Sequence, residues 1–352
     1  MNFYALKIKE IRRETADCVS LLFDVPPPYS SDFKFIQGQY LTLKTTIEGA
    51  EIRRSYSLCS SPLDGELRIA VKKVEGGIFS TFANEKLKKG TILEVAAPDG
   101  RFYTPLSIAH QKHYVLIAVG SGITPIFSIL KTILKTEPQS KITLIYGNKN
   151  ASSVIFREDI EALKNKYMER LRVIHILSRE RVDAELFHGR INALKIKELC
   201  LKMPEILRGS EYFLCGPEDM INDLKTEFLN SGIDKKHLHF ELFGTQKHAV
   251  KTHIAPSEKI VATAKITLDG ICFDLPIHEG EAVLDAALRM GADLPFACKA
   301  GVCCTCRAKL THGAVEMEVN YALDHNEIEA GFILTCQAMP RTAHLAVDYD
   351  VK

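Results

Sequence analysis

The chain has 352 residues, 46% apolar and 25% charged, enough for two or three domains that each bury a core. Lysine plus arginine number 45 against 44 aspartate plus glutamate, so the overall balance gives no footprint for nucleic acid or a membrane surface. The opening MNFYALKIKEIRRE lacks an apolar signal region, and no window reaches the roughly eighteen apolar residues of a membrane span, which makes a cytoplasmic protein the expectation.

Residues 1–106 read as short strands, VSLLFDV, GQYLTLKT, ELRIAVKKV and TILEVAAP, separated by the turn-rich PPPYSSD, SSPLDGE and KKG. This spacing predicts an antiparallel β-barrel. Within it, RRSYSL at 53–58 offers a guanidinium that can hold a phosphate, a ring that can stack on a flat group and a hydroxyl that can bond its edge. Taken alone, Arg-x-Tyr-Ser is more often an ordinary strand. GGIFST at 76–81 reads as an anion-binding turn, with Gly76 and Gly77 freeing backbone N–H groups and Ser80 opening a short helix.

Residues 107–243 alternate strands and helices. HYVLIAVG is a continuous apolar run that enters GSGITP, where Gly120 and Gly122 permit a tight turn beside a diphosphate and Pro125 suits the first turn of a helix over IFSILKTILK. Strands over KITLIYGN, LRVIHIL, EYFLCG and HLHFELF, with helices between, predict an α/β domain with a mostly parallel sheet. A ligand belongs at the carboxyl ends of its strands, where GSGITP, SRE and CGPE fall. Gly147, Asn148 and Lys149 end the second strand without the carboxylate that grips a ribose diol, while Ser178 and Arg179 after the third suit a 2′-phosphate. The competing reading of Arg179 is a solvated loop charge.

Residues 244–259, with glycine, proline, lysine and histidine but no apolar period, read as a linker. Residues 260–352 follow as a compact unit. Its hairpin turns at Asp269-Gly270, and its helix AVLDAALRMG aligns Val283, Leu284, Ala287 and Leu288. Cys298, Cys303 and Cys306 then stand four and two residues apart, with Cys336 a further twenty-nine on, the plant-type spacing for a 2Fe-2S cluster. Structural zinc is the alternative, but it ordinarily uses two Cys-x-x-Cys knuckles. Cys304 falls at no ligand position. Of the other cysteines, Cys18, Cys59, Cys200, Cys215 and Cys272 stand among apolar neighbours and are expected to be reduced and buried. From residue 260 onward seven Lys and Arg face thirteen Asp and Glu, so Glu316, Glu318, Asp324, Glu327 and Glu329 form a candidate docking face or simply a solvated surface.

RSYS with GGIFS, GSGITP with SRE and CGP, and the four cysteines, in this order, resemble the ferredoxin-NADP reductase superfamily fused to a C-terminal plant-type ferredoxin. Within it, SRE, HGRI, CGPEDMI, GAVEMEVNYAL and LTCQAMP are most similar to the reductase subunits of phenylacetyl-CoA epoxidase systems. The resemblance implies a multidomain fold: an FAD-binding antiparallel barrel, an NADP-binding parallel-sheet domain and a β-grasp ferredoxin domain. It implies that Arg54, Gly77 and Ser80 bind the FAD diphosphate, Tyr56 lies against the isoalloxazine, Ser57 reaches the flavin N5 region and Phe243 approaches the flavin from the closing strand. Gly120, Gly122, Thr124 and Pro125 would receive the nicotinamide nucleotide, Cys215, Gly216 and Pro217 would flank the nicotinamide, and Ser178 and Arg179 would bind the 2′-phosphate of NADPH. Tyr56, Ser57, Cys215 and Phe243 are thus the candidate catalytic residues, and the four spaced cysteines the metal ligands. The implied partner is a separate oxygenase that takes electrons from NADPH through FAD and 2Fe-2S, with neither nucleic acid nor membrane involved. Its alternatives are a Rieske-type dioxygenase or demethylase as acceptor, or a zinc-stabilised binding protein with no redox role.

Overall fold

The computed structural model describes residues 1–181, 184–243 and 259–351. The chain divides into two compact units, Asn2–Phe243 and Gly244–Lys352. The predicted linker, apart from Lys259, lies outside the described residues.

The first unit begins with a six-stranded antiparallel sheet. Its strands are β1 (Phe3–Thr15), β2 (Cys18–Asp24), β3 (Tyr40–Ile47), β4 (Ala50–Ser57), β5 (Leu67–Lys72) and β6 (Ile92–Ala96), with α1 (Ile78–Glu85) before the last. The order is β4-β3-β6-β1-β2-β5, and an isolated bridge between Leu58 and Ile69 joins its two edges, closing the barrel. The longest strand, β1, was not among the predicted runs because its outward positions are charged. Leu6 and Ile8 alternate inward among lysines and glutamate, and both are fully buried in the barrel core with Leu21, Leu41, Leu43 and Val95.

The second half of this unit is a five-stranded parallel sheet. It comprises β7 (His113–Val119), β8 (Lys141–Asn148), β9 (Leu171–Leu177), β10 (Glu211–Gly216) and β11 (Leu238–Leu242), joined by α2 (Ile123–Thr136), α3 (Arg157–Lys166), α4 (Ala193–Lys202) and α5 (Glu218–Asn230). The order β11-β10-β7-β8-β9 reverses direction at β7, which makes the cleft between β7 and β10 the topological switch point. Tyr114 to Ala118 of β7 are all buried, as the central strand of a sheet covered on both faces requires. Ile126, Ile129, Leu130 and Ile133 of α2 share its buried stripe, each contributing roughly 1.5–3 kcal/mol of burial. The same helix fastens the sheet to the barrel: Ser128 donates to the Ser60 carbonyl at 2.6 Å, Thr132 to Ser61 at 2.9 Å, and Lys131 pairs with Asp64 at 2.6 Å.

The second unit is a mixed five-stranded sheet of β12 (Ile260–Leu268), β13 (Ile271–His278), β14 (Arg307–His312), β16 (Phe332–Leu334) and β18 (His344–Asp348), in the order β13-β12-β18-β14-β16. β15 (Val315–Met317) pairs with β17 (Ala338–Pro340), and two short helices, α6 (Val283–Arg289) and α7 (His325–Glu329), complete it. Asp269 and Gly270 make the two-residue hairpin turn with φ of 52° and 74°, and both their N–H groups are held by the Asp350 carboxylate at 2.7 and 2.8 Å. Cys272 departs from expectation. It is exposed, because in the two-residue period of edge strand β13 it does not face the core that Leu275 and Ile277 enter.

Candidate functional site

The candidate site residues fall into three groups, two in the first unit and one in the second. On the barrel, β4 ends with Arg54 exposed, Tyr56 half-buried and Ser57 buried. The Arg54 Nη1 donates to the Arg53 carbonyl at 2.7 Å. The Tyr56 ring lies 5.3 Å from that of Phe79 on α1, tilted by 34°, and burial pushes its phenol well above the ordinary value. Gly77 caps α1. A Cβ there would meet Ser80 Oγ at 2.3 Å and Val74 Cγ2 at 2.6 Å, so the turn closes only around glycine. The Ser80 hydroxyl donates to the Gly77 carbonyl and accepts from Val74 N–H, each at 3.2 Å. The N–H of Gly77 itself is used, bonded to the Val74 carbonyl at 3.0 Å; the donors that remain are those of the first helical turn. A guanidinium, an aromatic ring and a helix start on one barrel suit a dinucleotide carrying a flat ring.

On the sheet, Gly120 and Gly122 form a single 3-10 turn between β7 and α2, with Gly120 at φ 57°. Tyr146 donates to the Gly120 carbonyl at 3.1 Å and Thr124 to the Ser121 carbonyl at 3.0 Å, which fix the turn. Pro125 is buried within α2. A Cβ on Gly122 would stand 2.1 Å from the Cys215 carbonyl oxygen and 3.0 Å from the Gly216 nitrogen. The two predicted motifs, GSGITP and CGP, are therefore packed backbone to backbone across the switch point. Gly216 in turn packs under Val119 and Met220, and Pro217 caps α5. At the end of β9, Ser178 is half-buried and Arg179 exposed; their N–H groups bond the Asn148 and Lys149 carbonyls at 2.9 and 2.8 Å, which ties SRE to the end of β8. Glu180 is engaged by the Ala151 N–H at 2.7 Å.

The two groups meet at Glu241, which sequence reasoning missed. It pairs with Cys215 across β11 and β10, and its Oε2 accepts a 3.1 Å hydrogen bond from Ser57 of the barrel. Burial pushes its carboxyl up to about 8, against the opposing pull of the Ser57 hydroxyl. Burial likewise raises the fully buried Cys215 thiol well above its usual range. The available signal was a lone glutamate in the otherwise apolar end of the closing strand HLHFEL, two residues before Phe243. Phe243 follows β11 directly and is exposed.

In the second unit the four spaced cysteines are brought together as two pairs. The Cys303 thiol donates to Cys298 Sγ at 3.1 Å, and Cys306 pairs in the same way with Cys336. The Cys298 thiol is pulled down to about 6, chiefly by the Cys303 thiol and further by the N–H groups of Ala300, Val302 and Cys303. Cys336 is also lowered, by Cys306 first and by the Gly301 N–H among others. Their partners Cys303 and Cys306 are raised by the same contacts and by burial. Gly301 stands at φ 70°, and a Cβ there would reach the Val319 carbonyl oxygen at 2.7 Å. Four reduced thiols bathed in backbone N–H donors fit an anionic two-iron group. Cys304 is held apart, its thiol donating to the Ala322 carbonyl at 3.3 Å. The acids of the candidate docking face are internally engaged: Glu316 with Arg341, Glu327 with Arg307 at 3.0 Å and Glu329 with His325 at 3.1 Å, while Asp324 caps α7.

The chain matches the profiles of the oxidoreductase FAD-binding domain at residues 5–104, the oxidoreductase NAD-binding domain at 116–226 and the 2Fe-2S iron-sulfur cluster binding domain at 266–341. It is 42% identical to a component of the 1,2-phenylacetyl-CoA epoxidase of Escherichia coli K12, over 100% of this chain and 99% of that one. It is 33% identical to the ferredoxin reductase component of 3-ketosteroid-9-alpha-monooxygenase from Rhodococcus rhodochrous, covering 98% and 96%. Among solved structures, phthalate dioxygenase reductase shares the fold, with a TM-score of 0.60 over 98% of each chain at 20% identity. Among the described residues no helix is long and apolar enough to cross a membrane. The 2Fe-2S match displaces the zinc reading, and the chain belongs to the ferredoxin-NADP reductase superfamily of FAD- and nicotinamide-binding oxidoreductases that carry a plant-type 2Fe-2S domain.

Proposed function

We propose that the chain is the reductase component of an oxygenase system, oxidising NADPH and delivering electrons one at a time to a separate oxygenase of the phenylacetyl-CoA epoxidase type. The observation that carries the redox half is the bond between Ser57 and Glu241, because it joins the barrel and the parallel sheet at the point where Tyr56 and Cys215 also stand. When bound, FAD accepts a hydride from the nicotinamide and the 2Fe-2S group moves single electrons. The chain's part is alignment. Arg54 and the first turn of α1 would hold the flavin diphosphate, and Tyr56 would cover one ring face. Gly122, packed on Cys215 and Gly216, lets the nicotinamide nucleotide lie over the switch point, and Phe243 would border the flavin. Ser57, fixed by Glu241, would present its hydroxyl near the reacting edge and keep water from it. Arg179 and Ser178, with Glu180 turned to its own backbone partner, favour a 2′-phosphate over a ribose diol. In the second unit, Cys298 and Cys303 would hold one iron, Cys306 and Cys336 the other, following their pairing.

The acceptor assignment rests on the whole-length match to the epoxidase component of Escherichia coli. The match to the ferredoxin reductase component of a 3-ketosteroid-9-alpha-monooxygenase keeps a different oxygenase as acceptor, and a Rieske-type enzyme is the second reading. Reconstitution decides between them. The purified chain with NADPH should support product formation by a phenylacetyl-CoA epoxidase catalytic component and not by a Rieske oxygenase. The reverse result would overturn the assignment.

A further inference from the structure

Lys299, in the loop between the first two ligands, adopts the left-handed region at φ 52°, a conformation disfavoured for a residue with a Cβ and kept only where the surroundings hold it. It is held at both ends. Its Nζ pairs with Asp285 at 3.0 Å, and its carbonyl accepts the side-chain Nε2 of Gln337 at 3.1 Å. Gln337 directly follows the fourth ligand and is only 9% exposed. Its backbone is fixed by bonds to the Leu334 carbonyl at 2.9 Å and from the Glu318 N–H at 3.1 Å. The same Nε2 lies 3.7 Å from Cys336 Sγ, within the longer range of hydrogen bonds to sulfur. Both neighbours are acceptors, so the amide must present its NH2 group, whose two hydrogens match the two acceptors.

We propose that Gln337 is a positioning residue for the cluster, tying the fourth ligand to the loop of the first and raising the reduction potential by hydrogen-bonding the Cys336 sulfur. The reduced cluster carries one more negative charge than the oxidised one, so an N–H dipole aimed at a ligand sulfur stabilises the reduced state more. A buried donor is little screened by water, which strengthens the effect. The inference rests on the reading of the four paired thiols as cluster ligands. That reading is tested separately by the iron content and visible spectrum of the wild-type protein.

The test is a redox titration of the full-length holoprotein, followed by electron paramagnetic resonance of the reduced cluster, for wild type, Gln337→Met and Gln337→Glu. Methionine keeps the length of the side chain and removes the donor. Glutamate replaces the donor by an acceptor. An iron-replete Gln337→Met should show a lower midpoint, with the reduction equilibrium shifted roughly tenfold, about 59 mV for a one-electron couple, and Gln337→Glu should fall further. A midpoint unchanged in iron-replete Gln337→Met overturns the proposal. Should that variant lose iron, wild-type protein labelled with ¹⁵N in the glutamine amides decides. A ¹⁵N hyperfine coupling to the reduced cluster supports the assignment, and its absence overturns it.

Discussion

Ser57, the last residue of β4, donates a 3.1 Å hydrogen bond to Glu241 of β11, 184 residues further along the chain. The bond makes the position of the serine hydroxyl depend on the parallel sheet rather than on the barrel alone. With the Glu241 carboxyl neutral at pH 7, Ser57→Ala removes a contact of roughly 0.5–1.5 kcal/mol and should slow flavin reduction by NADPH about 2- to 10-fold, measured by stopped flow, with FAD content retained.

The carboxyl of Glu241 gives the fold a pH dependence. Its folded value of about 8 lies above the ordinary 4.5 because burial disfavours the charge, so the contribution of the protonated form to stability is complete below pH 4.5 and is lost as pH rises through about 8. The thermal stability of the wild type, followed by calorimetry, should therefore decline between about pH 4.5 and 8. Glu241→Gln, which stays neutral, should flatten that limb of the profile; an unchanged profile would remove Glu241 from the account.

Cys303→Ser should abolish the cluster while Cys304→Ser retains it, because Cys303 bonds Cys298 and Cys304 bonds the Ala322 carbonyl. Iron analysis and the visible spectrum check this. Equal loss in both variants would mean that the loop is read in the wrong register.

Arg179→Ala should raise KM for NADPH about tenfold or more and leave KM for NADH nearly unchanged, since only the phosphate contact, roughly 1.5–3 kcal/mol, is removed. A wild-type enzyme that prefers NADH contradicts the assignment. Similarly, Arg54→Ala should shed FAD on dialysis, read from the ratio of flavin absorbance to protein.

Gly122→Ala should unfold several degrees lower than wild type and bind nicotinamide nucleotide poorly, because the new methyl would stand 2.1 Å from a backbone oxygen that cannot move without displacing β10. Calorimetry of the purified protein checks the first half and a binding titration the second.

The fold was largely legible where local pattern and tertiary role agree. The apolar run of β7, the Asp269-Gly270 turn and the cysteine spacing each state their structure directly. β1 was not legible, because a barrel strand with a wet outer face hides its two inward residues among charges. Glu241 was missed for a different reason: a single polar residue gains meaning only from its partner, and Ser57 is far away in sequence. The Cys272 environment was misjudged because apolar neighbours in a sequence do not reveal which face of an edge strand a side chain takes.

The order of the second sheet makes one strand its keystone. β18 lies between β12 and β14 at the centre, and Asp350, just after it, holds the β12–β13 turn. The hairpin of β12 and β13 and the strand that follows Cys306 meet through β18 alone within that sheet. Proteolytic removal of β18 should therefore unravel the second sheet and separate Cys306 and Cys336 from the hairpin side, while the first unit, which shares none of these strands, stays folded.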